Sequence, residues 1–249
     1  MSTNYTIPRI YCINLKTSTQ RKNRMEYRLK HHNLLDQTTF INAISKDSPF
    51  INDYFFKDMP YDCEQNKCLR TISCYASHIK AIRTFLEDGG EECLICEDDI
   101  MFHNDFKNKY FELRENIPDD TPFIGLSYMI TEWKGFWWAG KKKDLHNLCS
   151  ITNPQYIWGM QLYWMSKQYA VEVLKKYDKP CKLADNDFHS SEIILKKSNG
   201  FIAYPMLAIE DSIDSDRASE DLPYHRNHFN QWGRNNFNAA EPETELKDK

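Results

Sequence analysis

The chain has 249 residues, 27% of them charged, with a formal net charge of −4. That length supports one large core with room for a tail, and the mild acidity leaves no basic footprint for nucleic acid. No run approaches the roughly 18 apolar residues that span a bilayer, and Met1–Thr6 lacks the basic and apolar regions of a secretory signal, so a cytoplasmic location is expected.

In chain order the pattern alternates strand and helix. Ile10–Leu15 is apolar almost throughout and reads as a central strand. Ser18 is a candidate cap for a helix running to about His32, with Met25, Leu29 and Leu34 on its inner side. Thr38–Ala43 is β-branched and aromatic, hence a second strand. Residues 45–68 carry Pro49, Pro60 and many Asx residues and read as an ordered excursion. Ile72, Tyr75, Ala76, Ile79, Ile82, Phe85 and Leu86 then share one helical face, ended by Gly89-Gly90. A strand over Cys93–Glu97 follows, then a helix over Asp105–Asn116 stopped by Pro118, and a strand over Phe123–Ser127. After a Trp/Lys/Gly-rich loop (Trp133–Asn147), Tyr156–Met165 reads as a strand and Ser166 caps a helix through Lys176. Asp185–Lys197 is expected to be helical and Phe201–Tyr204 a short strand.

This alternation predicts an α/β domain with a largely parallel central sheet flanked by helices. The domain is placed at 1–212, with a polar extension over 213–249 whose last dozen residues have the composition of a flexible tail. Cys12, Cys74, Cys93, Cys96 and Cys149 lie in or beside apolar runs and fit free thiols in a reducing compartment. Cys63 and Cys68 lack a matching His/Cys pair nearby.

Ligands of such sheets bind beyond the carboxyl ends of the strands. There, Cys93-Leu94-Ile95-Cys96 runs into Glu97-Asp98-Asp99. Strand alternation predicts Glu97 and Asp99 on one side and Asp98 on the other. Three adjacent carboxylates repel, which calls for a counter-ion, and two acids on one side suit Mg²⁺ or Mn²⁺. The plainer alternative is a solvated acidic turn. Asn14, with Arg21 and Arg24 close behind, closes the first strand with polar groups suited to a nucleotide. Ser77 and His78 lie about 100° apart around their helix and do not make a nucleophile pair.

The segments Ile10–Leu15 with Arg21, Asn42-Ala43-Ile44, Ser73-Cys74-Tyr75-Ala76-Ser77-His78, Leu94–Asp99 and Gly159–Ser166 follow one another in order along the chain. Together, over residues 8–212, they resemble glycosyltransferase family 25, which includes lipooligosaccharide and collagen galactosyltransferases. Ser73, Gln20 and Cys96 depart from the family pattern, and none of these removes a charge from the proposed metal site. The resemblance implies a GT-A type nucleotide-sugar-binding fold, a UDP-sugar donor (galactose or glucose favoured), a divalent cation (Mn²⁺ or Mg²⁺) and inversion at the anomeric carbon. The acceptor is then a hydroxyl of a glycan or glycoprotein.

Carried over residue by residue, the resemblance assigns Asn14, Arg21, Ser77, His78 and Glu97 to donor binding. It assigns Glu97, Asp99 and a late histidine, His225, to the metal. The general base is Asp185 or Asp187, which spacing does not separate; either also suits a helix N-cap, and Glu192 is a weaker choice. His225 and His228 read equally as solvated tail residues. Trp133, Phe136, Trp137 and Trp138 offer faces for a sugar, or form a core flap or partner patch. Two rivals remain at this level: a non-catalytic glycan- or nucleotide-sugar-binding relative, and an iron oxygenase using His103, Asp105 and His225, which demands an all-β jelly roll.

Overall fold

The computed structural model describes residues 6–49, 51, 65–130, 140–142, 148–151, 157–177, 199–211 and 234–237. Ten strands are present among these residues: β1 (Ile10–Asn14), β2 (Thr38–Asn42), β3 (Glu92–Glu97), β4 (Ile100–Phe102), β5 (Phe123–Ile130), β6 (Gly140–Lys142), β7 (Leu148–Ile151), β8 (Ile157–Ser166), β9 (Phe201–Ala203) and β10 (Ala208–Glu210). Four helices accompany them: α1 (Thr19–His31), α2 (Gln65–Glu87), α3 (Phe106–Arg114) and α4 (Lys167–Tyr177).

Eight strands form one sheet in the order β2-β1-β3-β8-β5-β9-β7-β6, and β10 pairs with β4 in a separate ribbon. β1 pairs parallel with β2 and β3, and β5 parallel with β9. β8 runs antiparallel between β3 and β5, and β7 antiparallel between β9 and β6. Thus β1, β2, β3, β5, β9 and β6 point one way, and only β8 and β7 are reversed.

Period-two alternation sorts the side chains onto two faces. Tyr11, Ile13, Cys93, Ile95, Tyr163 and Met165 pack with Tyr75, Ile79, Ile82 and Phe85 of α2 and Tyr169, Ala170 and Val173 of α4. Ile10, Cys12, Leu94, Cys96, Leu162 and Trp164 pack on the other face, with Met25 and Leu29 of α1 and Phe106, Tyr110 and Leu113 of α3. β1 and β3 are therefore covered on both faces, which is why their sequences are continuous apolar runs. The expected α/β class, with a mostly parallel sheet and helices on its faces, is the one observed.

Several details differ from the sequence reading. α2 begins at Gln65, before the first residue of its apolar stripe, so Cys68 is helical rather than in a loop. β4, β6, β7 and β10 were not expected; three are only three residues long, too short to carry a period. Ser18 holds the N-cap position without a side-chain capping bond. Ser166 does cap its helix: the Tyr169 N–H donates to Ser166 Oγ at 3.2 Å.

Beyond the proposed domain end, Phe237 is buried and stacks edge-on against His103, while the Asn104 N–H donates to the Asn236 carbonyl at 2.7 Å. The helix expected over Asp185–Lys197 lies outside the described residues. No helix among the described residues is long and apolar enough to cross a membrane.

Candidate active site

Parallel pairing of β1 and β3 places Ile13 opposite Glu97, so Asn14 and the acidic triplet share the carboxyl end of the sheet. β3 stops at Glu97, and Asp98 and Asp99 form a turn into β4. The expected split of faces therefore fails, because strand alternation ends where the strand does. Asp98 and Asp99 turn together toward α1, and Glu97 points toward α2.

Arg21, in the first turns of α1, joins the two aspartates: its Nη2 donates to Asp98 Oδ1 and, at 2.7 Å, to Asp99 Oδ2. Asn14 Nδ2 donates to Asp98 Oδ2 at 2.5 Å and to the Ser18 carbonyl at 3.2 Å. Asn14 and Arg21, expected against a nucleotide, thus grip the acidic turn. Burial works against the Arg21 charge, yet Asp99, Asp98 and Glu97 hold its pKa above the ordinary value.

Asp99 is nearly enclosed, and its Oδ1 has no hydrogen-bond partner among the described residues. Burial, then the charge of Glu210, pushes its carboxyl well above the usual carboxylate range against the pull of Arg21. Burial likewise raises Asp98, against the opposing effect of Arg21 and Asn14.

The β10–β4 ribbon supplies two acids that sequence reading missed. Its register sets Glu210 opposite Ile100, and the Asp211 N–H donates to the Asp99 carbonyl at 2.7 Å. Asp211 pairs with Arg28 of α1 at 2.6 Å, both side chains fully buried, and Arg28 Nη1 also donates to the Ile100 carbonyl at 3.0 Å. Gln161 Nε2 of β8 donates to Glu210 at 3.3 Å. The signal was present: Ala208-Ile209-Glu210-Asp211 repeats the apolar-then-acidic pattern of Ile95-Cys96-Glu97-Asp98.

On the α2 side, His78 is buried, with Nε2 3.3 Å from Glu97 Oε1 and Nδ1 3.1 Å from the Tyr163 hydroxyl. Cys74, one helical turn earlier, lies 3.7 Å from the same Glu97 oxygen. Ser77, expected against the donor, is held here between two backbone groups. Its hydroxyl accepts from the Ile44 N–H at 2.8 Å and donates to the Ser73 carbonyl at 2.6 Å, tying α2 to the loop after β2.

The two described members of the oxygenase constellation are engaged in local hydrogen bonds. His103 Nδ1 accepts from the Asp105 N–H at 3.0 Å, Asp105 Oδ1 accepts from Asn108 at 2.6 Å, and the fold is not a jelly roll. Asp185, Asp187, Glu192, His225, His228, Cys63, Trp133, Phe136, Trp137 and Trp138 lie outside the described residues.

Among solved structures, the chain is similar to a glycosyltransferase involved in the glycosylation of the major capsid of PBCV-1. The TM-score is 0.45 at 10% identity, covering 91% of this chain and 100% of that one. It is also similar to mouse xyloside xylosyltransferase 1 in its apo form (TM-score 0.41, 9% identity, 79% and 85% covered). A third is mannose-1-phosphate geranyltransferase from Thermus thermophilus (TM-score 0.40, 9% identity, 80% and 74% covered). No curated protein matches the chain. The family model for glycosyltransferase family 25 (LPS biosynthesis protein) matches residues 7–189, from ahead of β1 to beyond α4. That match takes in Asn14, Arg21, His78 and the whole acidic triplet, and by it the chain is a glycosyltransferase belonging to glycosyltransferase family 25.

Proposed function

We propose that this glycosyltransferase is a metal-assisted, inverting hexosyltransferase. It moves galactose or glucose from a UDP-sugar to a hydroxyl of a glycan or glycoprotein acceptor. The observation that carries the proposal is the gathering of acids around Asp99 among the described residues: Glu97, Asp98, Asp99, Glu210 and Asp211, with the guanidiniums of Arg21 and Arg28.

An oxygen-rich cluster of acids with an orphaned buried carboxylate oxygen, Asp99 Oδ1, fits a hard divalent cation. Asp99 would hold it, with His225 as a further ligand, while Glu97 faces α2, and Mn²⁺ or Mg²⁺ bound there would supply Lewis-acid stabilisation of the departing diphosphate. The protein does the rest. Arg21 keeps Asp98 and Asp99 together and places a fixed positive charge where nucleotide phosphates approach. Asn14 fixes the rotamer of Asp98 and presents the end of β1 to the nucleotide. His78, held by Tyr163, orients Glu97 toward the donor. Asp185 or Asp187 takes the proton of the acceptor hydroxyl as that oxygen attacks the anomeric carbon, and a single displacement inverts the centre.

The test is UDP release from a panel of UDP-hexoses, with and without Mn²⁺ and acceptor. Acceptor-stimulated, Mn²⁺-dependent release is expected, and Asp185→Asn or Asp187→Asn, whichever removes the base, suppresses release while sparing donor binding. Donor binding without release under any acceptor assigns the chain to non-catalytic binding, and absence of donor binding in Mn²⁺ overturns the site.

A further inference from the structure

Cys74 and His78 stand one turn apart on α2, and Glu97 closes β3 opposite them. Their ligand atoms, Sγ, an imidazole nitrogen and a carboxylate oxygen, all lie within 4.8 Å of one another. The separations carry chemical information. His78 Nε2 to Glu97 Oε1 is 3.3 Å and Cys74 Sγ to the same oxygen is 3.7 Å. A tetrahedral zinc ion with ordinary Zn–N, Zn–O and Zn–S bonds has N···O edges of about 3.4 Å and S···O edges of about 3.6 Å. The 3.3 Å contact is also longer than a good N–H···O hydrogen bond. Two of the three edges thus match those of a coordination tetrahedron, and the third lies within 4.8 Å.

The surroundings support this reading. The Tyr163 hydroxyl engages His78 Nδ1 at 3.1 Å, which leaves Nε2 to face Glu97 and Cys74, the arrangement that outer partners give to metal-bound imidazoles. His78 and Tyr163 are buried, whereas Glu97 and Cys74 are partly exposed, so two of the three ligands meet solvent.

We propose that Cys74, His78 and Glu97 form a thiophilic divalent-cation site, separate in chemistry from the oxygen-rich cluster at Asp99. It takes Zn²⁺, with water or another small ligand completing the shell. Binding converts the Cys74 thiol to a zinc-bound thiolate and releases one proton, with no change in oxidation state. Thiolate and imidazole ligands favour zinc over Mn²⁺ and Mg²⁺, so the two sites sort cations by donor type.

The experiment titrates the full chain with Co²⁺ alone and follows the thiolate-to-cobalt charge-transfer band and the visible bands of tetrahedral cobalt. One equivalent should develop both, Zn²⁺ should bleach them, and Cys74→Ser should abolish the charge-transfer band. Glu97→Gln, at a partly exposed side chain that the core does not need, should lower cobalt affinity about ten-fold or more, since even outer-partner losses cost that much. No charge-transfer band in the parent chain, a band that survives intact in Cys74→Ser, or unchanged affinity in Glu97→Gln each overturns the proposal. Neither readout involves a sugar nucleotide, so its failure leaves the transferase reading standing, and the reverse also holds.

Discussion

The two ends of β1 and β3 are built from the same residue types to opposite effect. At the amino end, Arg9 pairs with Asp88 at 3.0 Å, Arg114 with Glu92 at 2.7 Å and Lys167 with Glu91 at 2.6 Å. Each acid there has its own cation. The Arg9 and Asp88 side chains are 55% and 34% exposed, so water screens them. At the carboxyl end five carboxylates of the described residues gather around two guanidiniums, and the Arg28 and Asp211 side chains are only 1% and 2% exposed. Charge that is balanced and wet is inert; charge that is unbalanced and dry is held at a cost. The fold bears that cost where parallel strands deliver ligands.

The largest effect should come from removing the shared counter-ion. Arg21→Met leaves Asp98 and Asp99 buried without it, and breaking a buried pair in this way costs about 3–5 kcal/mol. Urea melts at pH 7 without divalent cations measure it. The sign of the pH dependence follows from the raised carboxyls. A folded state that holds protons more tightly than the unfolded one loses stability as pH rises through the raised values. The Arg21→Met defect should therefore shrink as pH falls toward the ordinary carboxylate range. A pH-independent defect of under about 1 kcal/mol, the scale of an exposed pair, would show the two ends to be alike.

Next in size is the ligand. Asp99→Asn keeps the shape and removes the charge, so metal-free stability at pH 7 should hold or rise. The stabilisation by Mn²⁺ plus UDP-sugar, about 2.7 kcal/mol at one hundred times the dissociation constant, should vanish. The raised Asp99 carboxyl makes proton and cation compete for it, so cation affinity should climb with pH. Thermal shifts across pH check both statements, and donor affinity in Mn²⁺ that survives Asp99→Asn removes Asp99 from the site.

The sequence made some of this contrast legible and hid the rest for identifiable reasons. β1 and β3 are readable because burial on both faces writes an unbroken apolar run. The acidic triplet stands out for the same reason, as a polar stop to such a run. Its geometry does not, since a turn carries no period and the facing of Asp98 depends on Asn14 and Arg21 across the fold. Glu210 and Asp211 reach Asp99 only through β4 and β10, two three-residue strands whose pairing is entirely long-range. Arg28 was half-visible. It falls beside Met25 and Leu29 on the buried stripe of α1, and a guanidinium in such a stripe requires a buried acid. The base candidates and His225 rest on the family pattern alone, as they lie outside the described residues.

A smaller test touches how β8 supports the acidic end. Gly159 adopts φ +88°, and a Cβ there would meet Gln161 Oε1 at 2.3 Å. Gly159→Ala should cost about 1–2 kcal/mol from the left-handed backbone alone. It should also push Gln161 off Glu210, loosening the ribbon that brings the acids together. Stability measured beside Mn²⁺ affinity separates the two consequences: a loss of stability with no change in cation affinity would cut Gln161 out of the site's support.

The smallest effect belongs to the amino end and serves as the control for all the others. Arg9→Met removes the Asp88 partner, but Asp88 keeps the Tyr11 hydroxyl at 2.9 Å and its access to water. An exposed pair of this kind contributes about 0.2–1 kcal/mol, and added salt should erase most of it. A loss as large as that of Arg21→Met would mean that the amino end also stores charge. In that case imbalance would no longer single out the carboxyl end, and the depression lined by Arg9, Tyr11, Phe85, Asp88, Gly90 and Glu92 would have equal claim as a ligand site.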